Sequence, residues 1–395
     1  MPDQYFTRRI LLPELHFIRT AFIPGRACTS IFADKCSDFE VCPRCAASSY
    51  SIYDHRTVVV KDSPLRDIHL CLHIRKRRFW CSACRKPFTE PVPGIKKGAR
   101  TTERYRHSVL WACERFSDLK AVRRAYRCSA GFLYSTLYHQ LELQRRKRLY
   151  PWPQTIGIDE HFFRHNKKLR FREFVSVIVD FKGRRVMEVV EGKRAAELEV
   201  ALASIPGREN VRHVVLDLCA PFKNFAKGFF PNATLVADKF HVLRLLSPAI
   251  NKRRKAITGD RRSLEVRRWL LRNGKDLHPI QRFILNRWLD GFPDLQEVYH
   301  AKEALHGFYR IRGQRRAERA FTGLTDRLAF SALPEIQTLR RTLLKWRKEI
   351  LAYFATRLTN GRTEGFNNKA KLVKRRAYGY RSFRNYRLRL LNACA

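Results

Sequence analysis

The sequence predicts a multidomain α/β protein: a small metal-stapled β domain, a pair of short helices, and a mixed sheet interrupted by a long helical segment. Three observations carry this reading. Two C-x-x-C pairs lie within the first hundred residues, the hydrophobic period turns strand-like beyond residue 150, and about residues 245–356 are again almost wholly helical. At 395 residues, 45% of them hydrophobic, the chain can fill two or three separate cores.

The first pair is Cys42-Pro-Arg-Cys45 and the second Cys81-Ser-Ala-Cys84, about 35 residues later. Each C-x-x-C forms a tight turn that aims two thiolates at one ion, and two such turns complete a tetrahedral Zn²⁺ site. Cys42, Cys45, Cys81 and Cys84 are therefore the expected ligands, and four ordinary thiols are the alternative. Thr57–Val60, Ile68–Ile74 and Arg78–Trp80 read as short strands between them, which suits a zinc ribbon. Cys28, Cys36, Cys71, His69 and His73 are close enough in sequence to compete, but read as core or surface residues. Residues 1–41 alternate only weakly and suggest no function; with the ribbon they make a first region, 1–95.

The second region is 96–150, where the pattern turns helical from Thr101. Leu119–Tyr126 reads as one short helix, Arg127-Cys-Ser129 as a turn with Ser129 as N-cap, and Ala130–Leu143 as a second helix. In basic sequence this suits a helix-turn-helix with its second helix in the major groove, and Arg123, Arg124 and Arg127, on the first helix and the turn, are candidate DNA contacts. An ordinary helical hairpin has the same pattern. Gln144-Arg-Arg-Lys-Arg148 followed by Pro151-Trp-Pro153 marks a boundary.

The third region is 151–395. Thr155–Ile158 is a strand leading into Asp159; Phe174–Asp180 and Val186–Val190 form a hairpin across Lys182-Gly183; Arg194–Ile205 is a helix; Val211–Leu216 is a strand leading into Asp217. This β-β-β-α-β order, with an acid ending the first and fourth strands, is the layout of a ribonuclease-H-like sheet. Ala233–Ala237 adds a fifth strand before Asp238-Lys-Phe-His241, and the helical insertion follows. Beyond it, Thr359–Lys371 sets Glu364 in a Gly- and Asn-rich segment that runs into a basic, helix-like tail.

The charge narrows the partner. With 80 Lys+Arg against 36 Asp+Glu, the net charge is +44 and the pI about 10.6, spread along the whole chain. A polyanion is the natural partner, since each phosphate neutralised releases condensed counterions. The longest mainly apolar runs, such as Phe174–Phe181, are far short of the ~20 residues a membrane span needs, and the N-terminus lacks a signal-peptide layout. A cytoplasmic, nucleoid-associated protein with reduced thiols is expected.

Breaking and joining a phosphodiester needs an activated hydroxyl and charge neutralisation at the phosphate. Two divalent ions held by three carboxylates supply both, and Mg²⁺ or Mn²⁺ prefers such oxygen ligands. Asp159, Asp217 and Glu364 are the candidates. A strand-ending Asp is otherwise common, and a Glu beside Gly can simply favour a helix N-terminus. Asp238 and His241 could support the metals or orient DNA; a helix-start Asp with a core His is the alternative. Lys369, Lys371, Lys374, Arg375 and Arg376 are candidate DNA contacts. Tyr378, Tyr380, Phe383 and Tyr386, interleaved with arginines, suit base stacking or, equally, the core face of a solvated basic helix.

From Cys42 onward the chain resembles the bacterial DDE transposases of the zinc-ribbon-bearing ISL-three family of insertion sequences. The resemblance rests on the two C-x-x-C pairs with Arg77-Arg-Phe-Trp-Cys81, Ile156-Gly-Ile-Asp-Glu160, Val215-Leu-Asp217, Asp238-Lys-Phe-His-Val242, Leu358-Thr-Asn-Gly361, Glu364-Gly-Phe-Asn-Asn-Lys369 and Lys374-Arg-Arg-Ala-Tyr-Gly-Tyr380. It implies that Asp159, Asp217 and Glu364 are a catalytic triad. It also implies binding of terminal inverted repeats and strand transfer into target DNA; because two ends must be cut together, a homodimer or larger assembly on DNA is expected. Asp217-Leu-Cys-Ala-Pro221 departs from the pattern, which has a more polar residue near Leu218 or Cys219. A catalytically inactive DNA-binding relative, or a zinc-ribbon nuclease that cuts without joining, would share most of these features.

Overall fold

The computed structural model describes residues 12–23, 28–116, 118–166, 171–259 and 265–395; the first eleven residues of the weakly alternating N-terminal stretch lie outside these. The chain divides into two compact units, Met1–Gln140 and Leu141–Ala395. Among the described residues no helix is long and apolar enough to cross a membrane.

The first unit is built on strands β1 (Leu15–Ile23), β2 (Cys28–Lys35), β5 (Ile52–Leu65), β6 (Ile68–Cys81) and β7 (Lys86–Thr89), with a small β3 (Glu40–Val41) and β4 (Ser48–Ser49) hairpin. The sheet order is β1-β2-β6-β5, with β7 also on β6; only β2 and β6 run parallel. Leu15, Ile31, Ala33, Leu70, Leu72 and Ile74 form its core, and Phe79 and Phe88 a second cluster around Cys42 and Cys81. The three short strands expected here are two long ones, because the ladder continues through a polar stretch. His55, Arg56 and Thr57 pair with Arg77, Lys76 and Arg75 and carry the hairpin where no apolar period remains.

Helices α1 (Glu103–Arg115), α2 (Leu119–Ala125) and α3 (Ala130–Arg146) follow, the last two close to the bounds expected from sequence. Thr102 and Asp118 cap the first two, and Ser129 Oγ accepts from the Phe132 amide at 3.2 Å at the start of the third. Thr102 Oγ1 also donates to the buried Asp62 carboxylate at 2.7 Å, beside the Arg104–Asp62 ion pair that ties α1 to β5.

The second unit contains the sheet β10-β9-β8-β11-β12, made of β8 (Thr155–Asn166), β9 (Phe171–Asp180), β10 (Arg185–Glu191), β11 (His213–Leu216) and β12 (Thr234–Ala237). The first three strands form an antiparallel meander, and β11 and β12 run parallel to β8. Helix α4 (Ala195–Leu202) connects β10 to β11, and α5 (Ala220–Phe229) connects β11 to β12. After α6 (Lys239–Leu243) come the inserted helices α7 (Ser247–Thr258), α8 (Glu265–Leu271), α9 (Pro279–Leu289), α10 (Pro293–Phe308), α11 (Gln314–Ala329), α12 (Pro334–Lys345) and α13 (Arg347–Thr356). Their apolar faces continue the core of the sheet. The chain then returns as α14 (Gly361–Arg376), against β8 and β9, and α15 (Phe383–Ala393), against β10.

One expectation is corrected. The first strand does not end at Asp159 but runs seven residues further, to Asn166, because β9 keeps pairing with it as far as Phe171. His161 and Phe163 on this extension are buried against Tyr386 of α15.

Gly157 fixes how closely α14 approaches β8. A Cβ there would lie 2.6 Å from Phe181 Cε1 and 2.7 Å from Asn360 Oδ1, and would also overlap Thr363 Oγ1. Gly157→Ala should therefore destabilise the protein by about 1–3 kcal/mol, as overpacking does. Chemical denaturation measures this, and an unchanged midpoint would mean that α14 does not seat on this strand.

Candidate active site

The sheet register alone lines up three acids. Ile158, Leu216 and Ala237 are the last paired residues of the parallel strands β8, β11 and β12. The next residue on each is Asp159, Asp217 and Asp238, so these stand in a row across the end of the parallel ladder, nine-tenths or more buried. Asp238 also caps α6, which turns His241 back onto the row: His241 Nδ1 lies 2.9 Å from Asp217 Oδ1 and 3.1 Å from Asp238 Oδ2. Asp217, Asp238 and His241 have their ligand atoms within 4.8 Å of one another.

Helix α14 closes the site from the other side. The residue before it, Asn360, is buried and joins three strands' ends. Its amide donates to Asp238 Oδ1 at 2.8 Å, and its Nδ2 to Asp217 Oδ1 and to the Ile158 carbonyl, both at 3.3 Å. Thr363 Oγ1 donates to Asn360 Oδ1. Two turns on, Asn367 Nδ2 donates to Asp159 Oδ2 at 2.6 Å, while its side-chain oxygen Oδ1 is buried with no partner among the described residues. Between them, Glu364 sits in the first turn of α14, exposed, and no described hydrogen bond or ion pair holds its carboxylate. Asp159, Asp238, His241 and Glu364 line one cleft of about 380 Å³, with Lys371 and Lys374 on its rim.

Crowding sets the protonation of this cluster. Burial, then the hydrogen bond and repulsion from Asp217, push the Asp159 carboxyl up to about 8. Hydrogen bonds to Asp217 and Asp238 raise His241 to about 10, so an imidazolium neutralises part of the acid row. Burial, helped by Lys374 and Lys371, lowers His161 to about 4 and keeps it neutral.

A pH dependence follows for the metal-free protein. The folded state holds the Asp159 proton to about pH 8, whereas an unfolded carboxyl releases it near 3.8. Between these values the folded state binds more protons, so this group's contribution to stability falls as pH rises. Asp159→Asn removes that loss. The difference in Tm, variant minus wild type, should grow from pH 4 to pH 8 and then level off. A difference that is flat with pH would show that the Asp159 carboxyl titrates normally.

In the first unit the four expected cysteines come together and the rival residues do not join them. The Sγ atoms of Cys42, Cys45, Cys81 and Cys84 all lie within 4.8 Å of one another, with Cys45–Cys81 at 3.5 Å and Cys42–Cys84 at 3.7 Å. The backbone amides of Arg44 and Cys45 point at Cys42 and lower its thiol to about 6. Cys28 and Cys71 instead face each other at 3.7 Å between β2 and β6.

Comparison with known proteins fits both clusters. The model of the ISL3 family of DDE transposases, described as Transposase, matches residues 156–390, well over half the chain. The chain belongs to the ISL3 transposase family. A second model, the zinc-finger of transposase IS204/IS1001/IS1096/IS1165, matches residues 38–84, so the four-cysteine cluster is that of the family's zinc ribbon. The chain is similar to the transposase for insertion sequence element IS1001 of Bordetella parapertussis, at 25% identity over 91% of this chain and 89% of that one. It is also similar to the transposase for insertion sequence element IS1557 of Mycobacterium tuberculosis, at 22% identity over 75% and 72%. A Lactococcus lactis protein described as an ATP-dependent protease matches only 29% of this chain, at 33% identity.

Within this family member, the expected site residues divide by placement. Asp159 and Asp217 meet directly, and Glu364 faces the same cleft without joining the tight cluster. Lys371 and Lys374 border it; Lys374 Nζ donates to the Phe162 carbonyl. Lys369, Arg375 and Arg376 lie exposed on α14, and Arg123 and Arg124 on α2, while Arg127 occupies the turn after it with φ 47°. The aromatic tail is largely core. Tyr386 is fully buried and Phe383 packs on Phe163, and Arg387 pairs with the buried Glu188; Tyr378, 91% exposed, is the exception. Asn360 and Asn367 were not singled out from the sequence. Their spacing offered a signal, since 360, 364, 367 and 371 fall on one face of a helix.

Proposed function

We propose that the chain is an active transposase that binds the terminal inverted repeats of its element, cleaves at the ends and joins the freed 3′-hydroxyls to target DNA. The observation that carries this is the acid row of Asp159, Asp217 and Asp238, faced across one cleft by Glu364, whose carboxylate has no partner among the described residues. The sheet order β10-β9-β8-β11-β12, with its meander and two parallel strands, supports a ribonuclease-H-like reading of the second unit. The helices α2 and α3 with their tight turn support a helix-turn-helix reading of residues 119–146.

The donor set fits divalent oxygen-seeking ions. Burial, and then the hydrogen bond and repulsion from Asp217, let Asp159 keep its proton to about 8, and a bound cation would offset both the burial and the repulsion. Asp159, Asp217 and Glu364 would hold two Mg²⁺ or Mn²⁺ ions, which when bound supply charge neutralisation and an activated hydroxyl. The chain's own residues do the rest. Asn367 fixes the Asp159 carboxylate, Asn360 ties Asp217 and Asp238 to the start of α14, and His241 orients both acids. Lys371 and Lys374 place positive charge where the scissile strand's phosphates would lie, and DNA binding should require at least two subunits to bring two ends together.

Strand transfer tests this. Fragments bearing the element's ends, incubated with protein, supercoiled plasmid and Mg²⁺, should give joined products. Cleavage of ends with no joined product would make the chain a nuclease instead.

A further inference from the structure

The ribbon carries aromatic rings that neither its core nor its cysteine cluster uses. Tyr53 and Trp80, on β5 and β6, stack with centroids 5.9 Å apart and planes at 28°. They are 56% and 38% exposed, and the Arg78 guanidinium lies 5.1 Å over the Tyr53 ring. A second exposed pair, Phe39 and Tyr50, packs at 5.5 Å beside the β3–β4 hairpin. Clustered exposed rings of this kind mark an interaction surface.

The shelf is rigidly presented. The Trp80 amide donates to the Ser51 carbonyl at 2.9 Å, Ser49 Oγ donates to the Trp80 carbonyl, and the next residue is the cysteine-cluster member Cys81. Tyr53 sits at a register shift between Ile52 and Asp54, which sets its ring off the regular ladder. Its surroundings are cationic. Lys76 and Arg78 follow Trp80's alternation on β6, Arg56 is exposed opposite Lys76, and Asp54 is held by Arg78 at 2.7 Å. Exposed rings among cations suit unpaired bases, whose rings stack while their phosphates meet arginine. A duplex keeps its bases stacked on each other and has no use for such a shelf.

We infer that the Tyr53–Trp80 shelf stacks unpaired bases of DNA where strands separate near an element end. The inference rests on the reading of the chain as a DNA-end-processing protein. Its test uses the full chain and two probes, a 30-bp duplex and the same duplex with a central bubble of four unpaired thymines. Wild type should bind the bubble about 10-fold more tightly, consistent with stacking worth ~1–3 kcal/mol per base. Tyr53→Ala with Trp80→Ala should erase that preference while duplex affinity changes less than about 2-fold, and Trp80→Phe should retain it. Zinc content reports whether the ribbon is intact, and Tyr53→Ala alone keeps the test decisive if the double variant loses its metal. Equal affinity of wild type for both probes, or a preference surviving in the double variant, would overturn the shelf. So would a wild-type dimer that the variant converts to monomer, which would assign the surface to a second copy. Failure of wild type to bind either probe would overturn the functional reading as well.

Discussion

Asp217→Asn and Glu364→Gln should each abolish cleavage at the element's ends, by about 1,000-fold or more, while binding of those ends stays within about 2-fold. A metal-held charge at the reacting phosphate is worth several kcal/mol, and each 1.4 kcal/mol is tenfold in rate. Binding should survive because the acids are one part of a chain carrying +44, and phosphate contacts are spread over many cations. The two variants should differ in the metal-free protein. Asp217 accepts from Asn360 and His241, so its loss loosens the acid row. Glu364 is exposed, and its loss should leave stability nearly unchanged. Cleavage at the wild-type rate by either variant would remove that residue from the site.

Cys42→Ser with Cys45→Ser should unfold the ribbon and remove specific end binding. Structural zinc contributes roughly 10–16 kcal/mol of apparent folding free energy in small domains, and the ribbon's own apolar cluster is small. Zinc content by atomic absorption should fall to that of background, and the amides of β6 near Cys81 should lose exchange protection. Cleavage chemistry on pre-nicked ends should decline less than end recognition does, because the acid row belongs to the other compact unit. Full zinc content in the double variant would mean that other ligands hold the ion.

The parts of the fold legible in the sequence are those with short-range signals. The C-x-x-C turns needed only their spacing, and β8–β12 announced themselves through apolar runs buried on both faces, such as Val175–Val179. The length of β8 was hidden because Glu160–Asn166 is mostly polar and is held by pairing to β9 and by burial of His161 and Phe163 alone. The start of α14 was hidden for a different reason. Gly361, Gly365, Asn367 and Asn368 are poor helix formers, so local propensity argued for a loop. Tertiary contacts override it: Thr363, Phe366, Asn367 and Ala370 are buried, and Asn360 is anchored to strands more than a hundred residues away. Roles that depend on such distant partners leave only a faint trace, here the shared helix face of 360, 364, 367 and 371, which is why the acids were visible as candidates and the asparagines that hold them were not.

Counting bound metal tests the central claim most directly. Titrating Mn²⁺ into the protein on end DNA and following the free-ion signal by electron paramagnetic resonance should give two ions per subunit for wild type. Asp217→Asn and Glu364→Gln should each bind fewer, with the ends still bound. Two ions per subunit in both variants would contradict the assignment of these carboxylates as the metal-holding acids.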